Sequence, residues 1–280
     1  MTAPRASVPA QLRTTSVGVI GGGTMGRALA VGLRAAGMPA GRLWVADPSA
    51  AARRALRRSG ASVTRDNRAV ARQCRVLVLA VKPQQLAGAL RDLAGAMDRR
   101  TLVISIAAGI RLGWLESRLP GMPVARVMPN LPATAGAGFA ALAFGRRCTA
   151  RHRRAVAAIF ATVGEVVELP ESHFDAVTAV SGSGPAYVLY LVRAWREAAV
   201  SLGLPAPLAA RAVTATLRGA LALLERGGRD PDEWIATVAS KRGTTEAALK
   251  VLAARRAHAA IVGAVRAAAA RSRALSRAAR

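Results

Sequence analysis

The 280-residue chain has enough length for one large domain or two ordinary ones, each with a buried core. It is 52% hydrophobic, much of that alanine, and no uninterrupted apolar run approaches the roughly 20 residues a membrane-spanning helix needs, so a transmembrane reading is rejected. A formal net charge of +26 raises the question of nucleic acid, yet Lys82, Lys241 and Lys250 are the only lysines, and arginine is spread with alanine along every predicted helix. That distribution reads as solvated faces under a compositional bias, with a positive field that steers anionic substrates. The expectation is no nucleic-acid partner and no membrane.

In chain order, Met1 to Thr15 lack an apolar h-region, which argues against a secretory signal and reads as a disordered tail. Val17-Gly18-Val19-Ile20 is a short apolar strand that runs into Gly21-Gly22-Gly23-Thr24-Met25-Gly26, and a helical pattern follows from Arg27. Glycines at G-x-G-x-x-G spacing between strand and helix suit a dinucleotide. Gly21 bends the chain, Gly23 lets backbone N–H groups approach a pyrophosphate, and Gly26 seats the helix near the sheet. The helix N-terminus adds open donors and the positive end of its dipole. Leu43-Trp44-Val45-Ala46 is the second strand and ends at Asp47, where an acid can accept hydrogen bonds from an adenosine ribose. Asp47 or Ser49 would cap the helix that continues through Arg58. Arg53 and Arg54 nearby could receive a 2′-phosphate, so these residues leave NADH and NADPH open.

Ala61-Ser62-Val63 is a brief third strand and Asn67 to Gln73 a helix. Val76-Leu77-Val78-Leu79-Ala80-Val81 is an unbroken apolar strand of the kind buried on both faces of a parallel sheet, stopping at Lys82-Pro83. Thr101 to Ile106 repeats that signature and ends at Ala107-Ala108-Gly109. Ligands in such sheets lie beyond the carboxyl ends of the strands, so both tails point into one crevice. Val124 to Met128 forms a further strand before the rigid turn Pro129-Asn130. Phe139 to Phe144 and Gly164 to Leu169 are closing strands around a helix from Arg151 to Thr162 with Thr149 as N-cap. Cys74 and Cys148 lie apart with no pairing pattern and read as free thiols in a reducing cytoplasm. His152, His173 and His258 match no metal-ligand spacing, and no metal is expected.

After Pro170 the pattern turns helical: Asp175–Ser181, Pro185–Gly203, Pro207–Arg226, Pro231–Ala239, Thr245–Ala254 and Ala257–Leu275. Asp230-Pro231-Asp232-Glu233 carries the start signals of cap, proline and early acid. The expected organisation is therefore a tail over 1–15, an α/β nucleotide-binding domain over 16–170 and a helical domain over 171–280. Two short loops interrupt the helices, Ser181 to Tyr187 and Ser240-Lys241-Arg242-Gly243-Thr244-Thr245. N–H groups and hydroxyls at the second could cradle a carboxylate. Ordinary capping by Thr244 or Thr245 is the plainer alternative.

The chain resembles the pyrroline-5-carboxylate reductase family from about Val17 to Leu275. The resemblance is carried in order by the glycine turn, Ala80-Val81-Lys82-Pro83, Ser105 to Gly109, Met128-Pro129-Asn130, the block Asp175 to Tyr187 and Gly243-Thr244-Thr245. It implies an N-terminal Rossmann dinucleotide-binding domain and an all-α C-terminal dimerisation domain. The implied partners are a small-molecule substrate and a second copy, in a homodimer or a larger ring of dimers. It also implies reduction of 1-pyrroline-5-carboxylate to L-proline with NADP or NAD, NADPH being slightly favoured.

Carried over by position, the resemblance gives the pyrophosphate to Gly21, Gly23, Thr24, Met25 and Gly26. The adenosine end falls to Asp47, Ser49 and Asn67, and the nicotinamide side to Ala80, Val81, Lys82, Pro83 and Ala108. The substrate falls to Glu171, Ser240, Gly243, Thr244 and Thr245, with Thr245 bonded to the imine nitrogen. The chain departs from the family's usual Ser-Pro-Gly-Gly loop with Lys241 and Arg242, has Thr24 where asparagine is preferred, and has Leu131 where threonine is. Rival readings are a paralogue that reduces another cyclic imine carboxylate and a non-catalytic Rossmann-fold binding or regulatory protein.

Overall fold

A computed structural model describes residues 7–278. Its sheet has eight strands: β1 (Val17–Ile20), β2 (Leu43–Ala46), β3 (Ser62–Thr64), β4 (Val76–Leu79), β5 (Leu102–Ser105), β6 (Val124–Pro129), β7 (Gly138–Phe144) and β8 (Gly164–Glu168). They lie in the order β3-β2-β1-β4-β5-β6-β7-β8. The first six run parallel; β7 turns against β6 and carries β8 with it. Between them come α1 (Ala10–Arg13), α2 (Thr24–Ala35), α3 (Ala50–Arg57), α4 (Asn67–Gln73), α5 (Pro83–Leu93), α6 (Leu112–Arg118) and α7 (Ala150–Ala161).

Unbroken apolar strands form here because both sheet faces are covered. On β4, Val76 and Val78 enter one core with Leu33, Val156 and Phe160, while Leu77 and Leu79 enter the other with Leu86, Leu115 and Phe174. Period-two alternation sends neighbouring side chains to opposite faces, so no polar position is left on the strand. Thr149 caps α7 as expected, in a capping box in which its hydroxyl accepts the His152 N–H and its own N–H donates to His152 Nδ1 at 3.2 Å.

Two expectations change, and packing adds a further division. Residues 1–6 of the expected tail lie outside the described residues, but Val8 and Leu12 are 1% and 4% exposed in the first core, and the Val8 N–H donates to Ala36 O at 2.9 Å. Two apolar residues one helical turn apart are enough to dock this segment. By packing, the described residues up to 183 with those from 268 form one compact unit and 184–267 another, a division distinct from the expected boundary at 170/171. The segment after β8 stays with the sheet because Phe174 is 1% exposed within the second core. Finally, the expected loop at Ser181 is helical. α8 (Phe174–Val177) passes into a π-helical turn, Thr178–Gly182, and α9 begins at Gly184.

The second unit consists of α9 (Gly184–Ser201), α10 (Ala206–Glu225), α11 (Pro231–Val238), α12 (Thr244–Ala254) and the beginning of α13 (Ala257–Ala278). Asp230 caps α11 by accepting the Glu233 N–H, with Pro231 in the first position. α10 is long and apolar enough to cross a membrane by length and composition alone.

Candidate active site

The carboxyl ends of the central strands are tied together by backbone hydrogen bonds. Gly21 N–H donates to Ala46 O, Ala80 N–H to Ile20 O and Ile106 N–H to Leu79 O. They bring Gly21, Ala80 and Ile106 together along the carboxyl edge of the sheet. At its centre Gly21 has φ +104°, and a Cβ there would meet Ala80 O at 2.7 Å; at Gly26 a Cβ would meet Gly21 O at 1.9 Å. Side chains are thus forbidden at both positions by the fold itself. Gly23 is different: its φ of −65° suits any residue, and a Cβ there would touch nothing within 4 Å. Open space over a backbone that needs no glycine for its own sake is what a closely approaching ligand requires. No side chain caps α2, so the N–H groups at Thr24 and Met25 are left for an anion. A cleft of about 540 Å³ adjoins this turn and is lined by Gly22, Gly23, Thr24, Arg27 and Thr134 among others.

Asp47 does more than end β2. Its Oδ2 accepts the Gly22 N–H and its Oδ1 the Ser49 N–H, each at 2.7 Å, so the carboxylate clamps the glycine turn to the start of α3. Ser49 caps that helix through the Ala52 N–H. Arg53 Nη1 holds the Asp47 and Pro48 carbonyls at 2.7 Å, while Arg54 is exposed. Asn67 opens α4, with its amide 3.4 Å from Asp92 Oδ2. Lys82 is the uncapped N-cap of α5, and Pro83 takes the first helical position. Ala108 is exposed just past β5, and Gly109 takes φ +78° beside the Leu275 backbone.

Two motifs of the first unit, Met128-Pro129-Asn130 and the residues from Asp175 to Gly182, meet one another and the end of α13. Asn130 Nδ2 donates to Ser181 Oγ at 3.1 Å while its Oδ1 accepts the Phe139 N–H at 2.8 Å. A Cβ at Gly182 would strike Met128 Cε at 2.8 Å. Asp175 Oδ1 accepts the Ser272 hydroxyl at 2.6 Å and fastens the end of α13. Glu171, expected beside a substrate, has a partner that sequence reasoning did not single out. Its Oε1 accepts Arg126 Nη1–H at 2.8 Å and the Leu112 N–H at 2.7 Å, with Arg126 only 3% exposed and stacked on Phe174. An arginine inside an otherwise apolar strand was the available signal.

The Ser240–Thr245 loop belongs to the second unit. Gly243 is the N-cap of α12, and no side chain caps that helix, so neither Thr244 nor Thr245 performs the ordinary capping that was the plainer alternative. A Cβ at Gly243 would lie 2.4 Å from Ser240 Oγ, which places that hydroxyl against the helix start. Arg242 has φ +59° where the family's pattern has glycine. Its N–H donates to Glu246 Oε2, while Glu246 Oε1 binds Lys250 Nζ at 2.6 Å. Lys250 and the Arg242 N–H hold the Glu246 carboxyl below its ordinary range.

Cys74 and Cys148 are both free. Burial pushes their thiols up to about 12 and about 11, so neither supplies a thiolate. Among the described residues no three of His, Cys, Asp and Glu converge as a metal-binding group.

Residues 171–275 match the family model for pyrroline-5-carboxylate reductase dimerisation, and residues 16–109 match that described as NADP oxidoreductase, coenzyme F420-dependent. The chain is 40% identical to a pyrroline-5-carboxylate reductase of Synechocystis over 263 residues, covering 93% of this chain and 98% of the relative. A Corynebacterium melassecola enzyme of the same name is 40% identical over 243 residues, 85% of this chain and 90% of that one. The chain belongs to the pyrroline-5-carboxylate reductase family. The crystal structure of a Plasmodium falciparum pyrroline carboxylate reductase with NADP bound superposes with a TM-score of 0.87 at 27% identity, covering 94% of this chain and 99% of that one. Its bound nucleotide agrees in kind with the open turn at Gly23.

Proposed function

We propose that this chain reduces 1-pyrroline-5-carboxylate to L-proline with a nicotinamide dinucleotide as hydride donor. The reading is carried by the open, uncapped turn at Gly23 in a chain akin along nearly its whole length to reductases of that name. When bound, the reduced coenzyme supplies a hydride to the imine carbon. The chain's own task is to bind and orient: the first turn of α2 takes the pyrophosphate, and the strand ends at Ala80–Pro83 and Ala108 border the nicotinamide. The open N–H groups of Thr244 and Thr245, with the Ser240 hydroxyl, hold the substrate carboxylate. The Thr245 hydroxyl bonds the ring nitrogen as it changes from imine to amine. A protonated imine is already electrophilic at carbon, so no nucleophile is needed.

Oxidation of NADPH followed with purified protein and the imine tests this reading. Thr245→Ala is expected to lower kcat by about 100-fold while coenzyme affinity persists. Full activity in Thr245→Ala, or none in the natural chain, refutes it. NADPH is the favoured coenzyme because both Asp47 oxygens are engaged within the chain and Arg54 is exposed for a 2′-phosphate. Arg54→Ala should cost roughly tenfold in kcat/KM for NADPH and little for NADH.

The matched dimerisation domain and exposed apolar side chains such as Leu189 (61%), Leu221 (58%) and Ile261 (64%) support a homodimer; a ring of dimers is the larger assembly proposed from the resemblance alone. The same contacts account for the apolar face of α10 without a membrane. We place the protein in the cytoplasm, where its two free thiols stay reduced.

A further inference from the structure

The parallel strands have a second edge. Beyond the amino ends of β1, β4, β5 and β6 lies an open basin of about 1180 Å³, bordered by Ser16, Val76, Leu102 and Pro123. Because β1, β4, β5 and β6 all point the same way, this edge is opposite the one that carries the glycine turn. Eight arginines line it, drawn from segments spread over the first 154 residues, against one lining acid, Asp98. Arg75 is paired with Asp98 and Arg72 with Asp66. Arg42, Arg99, Arg147, Arg151 and Arg154 have no carboxylate partner among the described residues, Arg100 meets Asp98 through its backbone N–H at 2.8 Å and shares that one acid with Arg75, and all six are exposed. In sequence these arginines looked like part of an even background. The fold gathers them around one concavity, where like charges held close repel one another and an anion relieves that repulsion.

We propose that this basin binds a small, multiply phosphorylated anion, at a site separate from the coenzyme turn. Its size matches or exceeds ordinary small-molecule sites. Guanidinium groups pair with phosphate oxygens through bidentate hydrogen bonds, so several arginines around one cavity favour a chain of phosphates over a single carboxylate. No Phe, Tyr or Trp is among the lining residues, so the basin offers no platform on which bases would stack. Recognition therefore rests on the phosphate chain, with the base contributing little, and a single-stranded nucleic acid is the less suitable occupant.

Titration calorimetry with inorganic tripolyphosphate tests this, using full-length protein saturated with NADP so that the glycine turn is filled. One tripolyphosphate per chain should bind, with ATP comparable to it and affinity falling as salt is raised. Arg100→Glu with Arg151→Glu should weaken binding by at least about tenfold. Arg57→Glu with Arg58→Glu, the same charge change at the exposed end of α3, should leave it within about twofold. Equal weakening in both double variants would show a diffuse field and overturn the proposal, as would absence of saturable binding. A single-stranded oligonucleotide that binds more tightly than tripolyphosphate would overturn it too. If the first double variant unfolds early by circular dichroism, Arg154→Gln takes its place, with weakened binding again expected and unchanged binding counting against the site.

Discussion

At the scale of single residues, the three glycines of one turn do different work. Gly26 is closed by the fold and Gly23 is open to it, so the same substitution should give different results at the two positions. Gly26→Ala should lower stability, because its Cβ would fall 1.9 Å from a backbone oxygen that has no free rotation to escape. Gly23→Ala should leave the thermal midpoint unchanged and lower coenzyme affinity, since the methyl group occupies only the ligand's space. Thermal unfolding and coenzyme titration of both variants check the pair. The loop before α12 carries the opposite feature, a non-glycine residue in the left-handed region at Arg242. Arg242→Gly removes that steric cost and should stabilise the protein by about 1 kcal/mol, read from chemical denaturation. Destabilisation would mean that the arginine side chain makes a contact that outweighs its backbone.

At the scale of elements, polar groups fix strands and helix ends that apolar packing alone would leave loose. Glu171 neutralises Arg126 inside the sheet and also receives the first N–H of α6. Glu171→Ala leaves a guanidinium that is 3% exposed without its partner, and should cost about 3 kcal/mol in denaturant unfolding. Loss of turnover with unchanged stability would instead favour the substrate role that the family resemblance gives Glu171. The cap of α7 supplies a pH dependence. Desolvation, first among the causes, lowers the His152 pKa, and its Nδ1 accepts the Thr149 N–H only when unprotonated. A depressed histidine means that the unfolded chain binds the proton more readily. The contribution is therefore complete above the ordinary imidazole value, about 6.5, and is lost as pH falls through the lowered one. Stability measured from pH 7.5 down to 5 should show this component, and His152→Gln should remove it.

At the scale of the whole molecule, the second unit has few buried side chains of its own. Its helices leave Val188, Leu189, Tyr190 and Leu191 between 51% and 67% exposed in succession, as expected for helices whose apolar surface is completed by another chain. Leu189→Glu should shift the assembly toward monomer in sedimentation velocity and lower the thermal midpoint together with it. A dimer unchanged by that charge would put the subunit contact on another face of α9.

The sequence alone determined what depends on local rules. Strand and helix alternation, the glycine turn, the caps at Thr149 and Asp230, and the family-specific block from Asp175 to Tyr187 were all legible, because chain stiffness, capping and periodicity act over a few residues. The tertiary structure decided what depends on partners remote in the chain. It docked Val8 and Leu12, kept residues through Ser183 with the sheet, turned Asp47 into a clamp on the glycine loop, and joined Arg126 to Glu171 across 45 residues. It also drew scattered arginines to one edge. Neither the partner of a buried charge nor the company of an exposed one follows from neighbours in sequence, since burial and Coulomb energy depend on distance through space.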